Sequence, residues 1–159
     1  MTLVEDEIIL PSGQKMTYLK QKDNGSCCVT IIAKQNDKIL VQREYSYPSN
    51  QKIFQFPGGG APAHEKPEEG ANRELMEEMG YRANTLDLLG IYLMDNRRST
   101  QKMHVFLASD LTRESREKDI EEEIESFWFS EDEIAKMIKN GDIINVHALA
   151  SWCLYTNRQ

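Results

Sequence analysis

The sequence predicts an α/β fold in one domain spanning residues 1–159, and three observations carry that prediction. Short apolar runs broken by turn-forming residues recur along the chain, a helical segment with clear start and stop signals interrupts them at 67–79, and two further helix signals follow residue 130. Taken in order, Ile8 to Leu10 and Met16 to Leu19 flank Pro11-Ser12-Gly13-Gln14 and predict an N-terminal antiparallel hairpin within 1–22. Lys22-Asp23-Asn24-Gly25 marks a break. Ser26 to Ala33 and Ile39 to Tyr45 form a strand pair around Gln35-Asn36-Asp37, and Ile53 to Phe56 is a strand leading into a glycine loop, Pro57-Gly58-Gly59-Gly60. After the central helix, Leu86 to Leu93, Met103 to Leu107 and Ser126 to Phe129 are expected as strands. Ser130-Glu131-Asp132-Glu133 is a capping box that opens a helix to about Ile138. Ile144 to Leu154 is the last amphipathic helix, with Leu149, Trp152 and Cys153 expected towards the core.

Composition narrows the functional classes. With 40% hydrophobic residues the chain is large enough to bury a proper core. A formal charge of -7 argues against a nucleic-acid surface, because no basic stripe is present to neutralise a phosphate backbone. The start, Met1-Thr2-Leu3-Val4-Glu5-Asp6-Glu7, lacks a basic and an apolar leader region, and no stretch approaches the roughly 18 apolar residues of a membrane span, so a cytoplasmic protein is expected. Cys27, Cys28 and Cys153 have neither a disulfide framework nor zinc spacing and are expected as small buried hydrophobes. His64, His104 and His147 are scattered and read as structural, although His64 lies where it would meet a substrate at the glycine loop.

The segment 67–79 carries the chemistry. Pro67 suits the first helical position, Glu68 and Glu69 complement the positive end of the helix dipole, and Gly80 fits a left-handed cap. On ideal helical spacing Glu74, Glu77 and Glu78 share an arc of roughly 100°, while Leu75, Met76 and Met79 point away. Three crowded carboxylates repel one another unless a cation neutralises them, and hard oxygen ligands select Mg²⁺ or Mn²⁺. The plain alternative is a solvated acidic helix. The glycine loop before it speaks against that alternative, since bare backbone approaches a metal or phosphate closely.

Gly59, Glu65, Arg73, Glu74, Glu77, Glu78 and Gly80 stand at a fixed spacing that resembles the Nudix box, here 59–81. Seven fixed residue types coincide by chance below about 10⁻⁸ per starting point. The resemblance implies a Nudix α/β/α sandwich with a mixed sheet and cation-dependent hydrolysis of a nucleoside diphosphate linked to another moiety. It assigns the metal to Gly58, Glu74 and Glu78 with Glu77 in the same cluster, and gives Gly59, Glu65, Arg73 and Gly80 structural roles. Pro62 stands where many relatives have an acidic residue.

Outside the box, Arg43-Glu44-Tyr45-Ser46-Tyr47-Pro48 resembles a stretch of Nudix hydrolases of the ADP-ribose pyrophosphatase type, with Glu44 and Ser46 as departures. This resemblance implies a pyrophosphatase for a nucleotide sugar, ADP-ribose the leading candidate, and a homodimer built through the N-terminal hairpin. Arg43, Tyr45, Arg97 and Arg98 are the candidate substrate contacts; Tyr45 with Tyr47 equally fits an aromatic packing pair, and arginines placed like Arg97 and Arg98 are more often loop solubilisers than ligands. The same resemblance implies a general base in the acidic run at 119–124, with Glu121 and Glu122 as candidates and Glu77 as the alternative. The competing functions are cleansing of modified nucleoside triphosphates and non-catalytic nucleotide-sugar sensing.

Overall fold

The computed structural model describes residues 2–114 and 124–158. In chain order the elements are β1 (Leu3–Ile9), β2 (Lys15–Gln21), β3 (Cys27–Gln35), β4 (Lys38–Ser46), β5 (Gln51–Gln55), β6 (Gly58–Ala61), α1 (Pro67–Met79), β7 (Tyr81–Leu93), β8 (Lys102–Arg113), β9 (Glu125–Ser130), α2 (Glu131–Asn140) and α3 (Val146–Thr156). Among the described residues strands β1 and β2 pair only with each other, as the predicted hairpin. The remaining strands run in the order β5-β4-β3-β8-β7, with β6 added to β3 and β9 to β4. Strand β3 is parallel to β8 and antiparallel to β4 and β6, which makes the sheet mixed.

The α/β/α layering follows from β3, whose residues alternate between two cores. Val29, Ile31 and Ala33 pack with Leu75 and Ala71 of α1, whereas Ile32 packs with Ile134 of α2 and Ala148 and Tyr155 of α3. A strand buried on both faces is apolar without interruption, and Val29-Thr30-Ile31-Ile32-Ala33 is nearly so. The β3–β4 turn is made by Asn36 and Asp37 at φ 50 and 59, the left-handed pair that suits a two-residue hairpin.

Several boundaries move. The glycine segment is not a loop: Gly58 to Ala61 form β6, in register with Thr30 to Cys27 of β3, and the connecting loop begins only after Ala61. Strands β7 and β8 are longer than their apolar runs because each supplies the other's backbone partners out to Tyr81 and Arg113, where polar side chains face water and mask the periodicity. Asn145 caps α3 by accepting from the His147 and Ala148 amides, so that helix starts two residues later than expected. The register follows: Ala148, Ser151 and Tyr155 are buried, Leu149 and Trp152 flank the core, and Cys153 is exposed rather than inward. Cys27 and Cys28 are half-buried.

Candidate active site

Helix α1 begins at Pro67 and ends at Gly80, whose φ of 69 makes the left-handed cap. Its Leu75 and Ala71 bury against β3, which presses the Glu74 and Glu78 side of the helix onto β6. Glycine is required there by contact. A Cβ on Gly58 would lie 2.2 Å from the Val29 carbonyl oxygen, and one on Gly59 would lie 2.5 Å from the Glu74 carboxyl.

Glu78 is the deepest of the box carboxyls. It accepts the Gly58 amide at 2.9 Å, and no lysine or arginine among the described residues pairs with it. Burial, reinforced by the nearby Glu74 charge, pushes its pKa up to about 8. Glu74 is raised for the same first reason, although Arg73 pulls against the shift.

Glu77 is more exposed than Glu74, its neighbour in the predicted cluster. One turn after Arg73, it takes the i,i+4 ion pair at 3.0 Å with that guanidinium and stays 42% exposed. Arg73 also donates to Glu65 through Nε and Nη2 at 2.9 and 3.0 Å, to Glu74 at 2.9 Å and to the Gly60 carbonyl at 2.7 Å. The hydrogen bonds with Arg73 hold Glu65 below the usual carboxylate range. Arg73 and Glu65 therefore tie helix, loop and β6 together, as the box implies. Among the described residues no three Asp, Glu, His or Cys side chains converge into a complete ligand set, so Glu74 and Glu78 form an open, two-carboxylate edge beside bare backbone.

The other predicted residues are dispersed. Arg43 donates to Glu125 at 2.6 Å, and its guanidinium carbon stands 5.4 Å from the ring centres of both Phe54 and Phe127. Glu125, shared with Lys52, is held down to about 2 by these two cations. Tyr45 donates to Asn50 at 2.6 Å and lines a cleft of about 350 Å³ with Glu44 and Tyr47. Arg97 and Arg98 sit at the hairpin: Tyr18 donates to the Arg97 carbonyl, and Arg98 Nη1 donates to the Leu19 carbonyl at 3.0 Å. His64 is exposed on the loop before α1. Glu121 and Glu122 lie outside the described residues.

Sequence reasoning missed the residues that join α3 to this edge. A cavity of about 290 Å³ borders β6 and is lined by Gly58, Gly59, Thr30, Met94, Asn145 and His147 among others. His147 stacks on Tyr92, and its Nδ1 is 3.1 Å from the Tyr92 hydroxyl. Burial lowers the His147 pKa, which favours the neutral ring. Asn145 donates to Gln55, and Gln55 donates to Glu44, so the helix cap and two neighbouring strands share one polar string. Its available signal was polar residues at inward strand positions, with Gln42 interrupting Ile39-Leu40-Val41 and Gln55 preceding Phe56.

Comparison with known proteins settles the family. The NUDIX domain profile matches residues 24–150, most of the chain. The chain belongs to the NUDIX domain family. It is 27% identical over 143 residues to an ADP-ribose pyrophosphatase of Bacillus subtilis (strain 168), covering 89% of this chain and 77% of that protein. It is 30% identical over 118 residues to the ADP compounds hydrolase NudE of Escherichia coli (strain K12), covering 74% of this chain and 63% of that one. A crystal structure of an ADP compounds hydrolase superposes with a TM-score of 0.89 at 24% identity, over 97% of this chain and 83% of the other, which shows that the Nudix fold extends through the hairpin. No helix among the described residues is long and apolar enough to cross a membrane.

Proposed function

We propose that this Nudix protein is a divalent-cation-dependent pyrophosphohydrolase that splits a nucleoside diphosphate sugar, ADP-ribose first among them, into a nucleoside monophosphate and a sugar phosphate. One observation carries the reading: Glu78, half-buried and partly desolvated, accepts the Gly58 amide with no lysine or arginine partner among the described residues, beside the Glu74 carboxyl. A partly desolvated carboxyl of that kind is costly as an anion and is relieved by a bound cation. The names of the two relatives above supply the substrate class.

Glu74, Glu78 and the Gly58 carbonyl are the groups that would hold the ion, and an all-oxygen donor set fits Mg²⁺ or Mn²⁺. When bound, such an ion neutralises the diphosphate and acidifies the attacking water. The chain's own work is positional. Arg73 fixes the Glu74 carboxylate from the rear while clamping Glu65 and Gly60, so α1 and β6 keep their spacing. The glycines of β6 keep side chains away from the place where a phosphate must come close. Proton removal from the water belongs, in our reading, to Glu121 or Glu122, with Glu77 occupied by Arg73. Changing each to Gln should cost the true base about a hundredfold in kcat and remove the acidic limb of its pH profile.

The protein is further proposed to act as one Nudix unit in a cytoplasmic homodimer, with the 1–22 hairpin completing the partner's substrate pocket. The decisive assay is a panel of ADP-ribose, ADP-glucose, UDP-glucose, GDP-mannose, dinucleoside polyphosphates and 8-oxo-dGTP with Mg²⁺ or Mn²⁺ and coupled phosphate release. Hydrolysis of ADP-ribose above the rest is expected. Preference for 8-oxo-dGTP would replace the substrate class, and no turnover of any compound would sink the enzyme reading.

A further inference from the structure

Gln42 has no solvent exposure, and among the described residues neither its Nε2 nor its Oε1 finds a hydrogen-bond partner. A buried carboxamide left idle on both atoms is uncommon in a native interior, where nearly all such groups are satisfied. Its backbone is fully used, since Gln42 is opposite Gln55 of β5 on one side and Ser126 of β9 on the other. Gln55, the obvious side-chain partner, is already committed to Glu44 and Asn145. The Glu78 carboxyl lies within reach of Gln42, whose side chain favours its charged form. The contact falls short of a hydrogen bond in the ion-free geometry, so it is proximity rather than a bond already made.

An ionised carboxylate offers about four lone-pair sites. In Glu78 the Gly58 amide takes one, and an ion would take another; the side of the carboxyl towards the fully buried Gln42 is left to a protein donor. We propose that Gln42 is a positioning residue that donates from Nε2 to the Glu78 carboxylate in the cation-bound state and so fixes how that carboxylate is turned. The inference rests on the reading of Glu78 as a cation-holding group. It explains why a glutamine occupies a strand position where leucine would fill the same space without an unmet polar group. It also gives the residue a sign that a purely structural glutamine would not have: replacement by an apolar side chain should leave the ion-free fold intact and weaken the ion.

The experiment compares wild type with Gln42→Leu, Gln42→Met and Gln42→Glu. Binding of Mn²⁺ alone is followed by electron paramagnetic resonance of the free ion, and Tm is measured in EDTA. The Leu and Met variants should raise the Mn²⁺ Kd about tenfold with no fall in Tm. The Glu variant, which cannot donate and adds a like charge, should raise it further. Unchanged Mn²⁺ affinity in both apolar variants would overturn the proposal, and so would a loss of Tm in EDTA shared by both, since that marks a structural glutamine. If wild type itself fails to bind Mn²⁺, the cation site falls and the inference with it, an outcome distinct from the other two.

Discussion

On α1 the chain answers its own polar groups, with Arg73 serving Glu65, Glu74, Glu77 and the Gly60 carbonyl at 2.7–3.0 Å and the Gly58 amide serving Glu78. The hairpin β1–β2 is the opposite case. Among the described residues its strands pair only with each other, and Leu3 and Ile9 are 53% and 68% exposed, with Met16 and Leu19 also open to solvent. Its ties to the rest of the chain run through the 95–101 turn, as Gln21 N to the Arg98 carbonyl, Tyr18 to the Arg97 carbonyl and Arg98 to the Leu19 carbonyl. A two-stranded ribbon of this kind is marginal alone. The difference separates a region complete within one chain from a region that we read as completed by a second copy.

The largest expected effect tests the complete region at its centre. Glu78→Gln keeps size and helix propensity but removes the anionic ligand, so kcat should fall at least about a hundredfold, or about 2.7 kcal/mol of barrier. Glu74→Gln should behave likewise. Steady-state kinetics at saturating Mg²⁺ settle it, and a Glu78→Gln enzyme keeping more than about a tenth of wild-type kcat would show that the ligand assignment is wrong.

Arg73→Lys probes the clamp rather than the edge. A lysine ammonium cannot reproduce the fork that holds Glu65 through two nitrogens while also reaching Glu74, Glu77 and Gly60. We expect kcat to fall roughly thirtyfold and stability to fall by about 2 kcal/mol, or roughly 5 °C in Tm. If Tm drops while kcat per folded molecule is unchanged, Arg73 only builds the fold and does not position Glu74.

The hairpin gives the third test. Deleting residues 1–22 removes the ribbon and its bonds to the 95–101 turn, yet leaves both cores untouched. The truncated chain should sediment as a monomer and lose roughly tenfold in kcat/KM for ADP-ribose, or about 1.4 kcal/mol. A fully active monomer would refute the shared pocket.

These regions also differed in how far the sequence revealed them. The α1 bounds, Pro67 to Met79, were legible because proline, glycine and the glutamate spacing are local signals, and α2 was legible from its Ser130–Glu133 box. The β6 strand was not: glycines have no strand propensity, and only the close approach of β3 makes them pair. Glu77 shows the limit of helical geometry. An arc on a wheel placed it with Glu74 and Glu78, but could not show that Arg73 Nη1 on the same helix is shared by Glu74 and Glu77. The surroundings of Arg43 were illegible for a related reason, because Glu125 and two phenyl rings reach it from segments more than ten residues away. Gln42 and Asn145 needed the tertiary arrangement before either had a role to be read.

The smallest expected effect concerns the ion-free protein and the sign of its pH dependence. Glu78 has a native pKa of about 8 against an ordinary 4.5. Between those values the unfolded chain is ionised at this residue while the native chain keeps the proton, so the native state binds more protons and stability falls as pH rises. The contribution is fully present below about 4.5 and gone above about 8. Glu65 and Glu125, whose pKa values are lowered, add stability that is lost only below 4.5, outside this window. His147 acts inside it with opposite sign, because its lowered pKa makes the native state release its proton below 6.5, where the unfolded chain still holds one. Glu74, also raised, shares the sign of Glu78, so the wild-type curve mixes slopes of both signs. Glu78→Gln removes the Glu78 contribution and leaves those of Glu74 and His147, so the difference between the two proteins isolates Glu78. In EDTA the variant should gain on wild type by roughly 3 °C or more in Tm between pH 5 and pH 8.5. Saturating Mg²⁺ should abolish that gain, because the ion binds the ionised carboxylate of wild type and stabilises it by mass action. Parallel Tm profiles for the two proteins in EDTA would mean that Glu78 ionises freely in the ion-free fold, and the contrast between a self-satisfied Arg73 clamp and a cation-seeking Glu78 would then lose its physical basis.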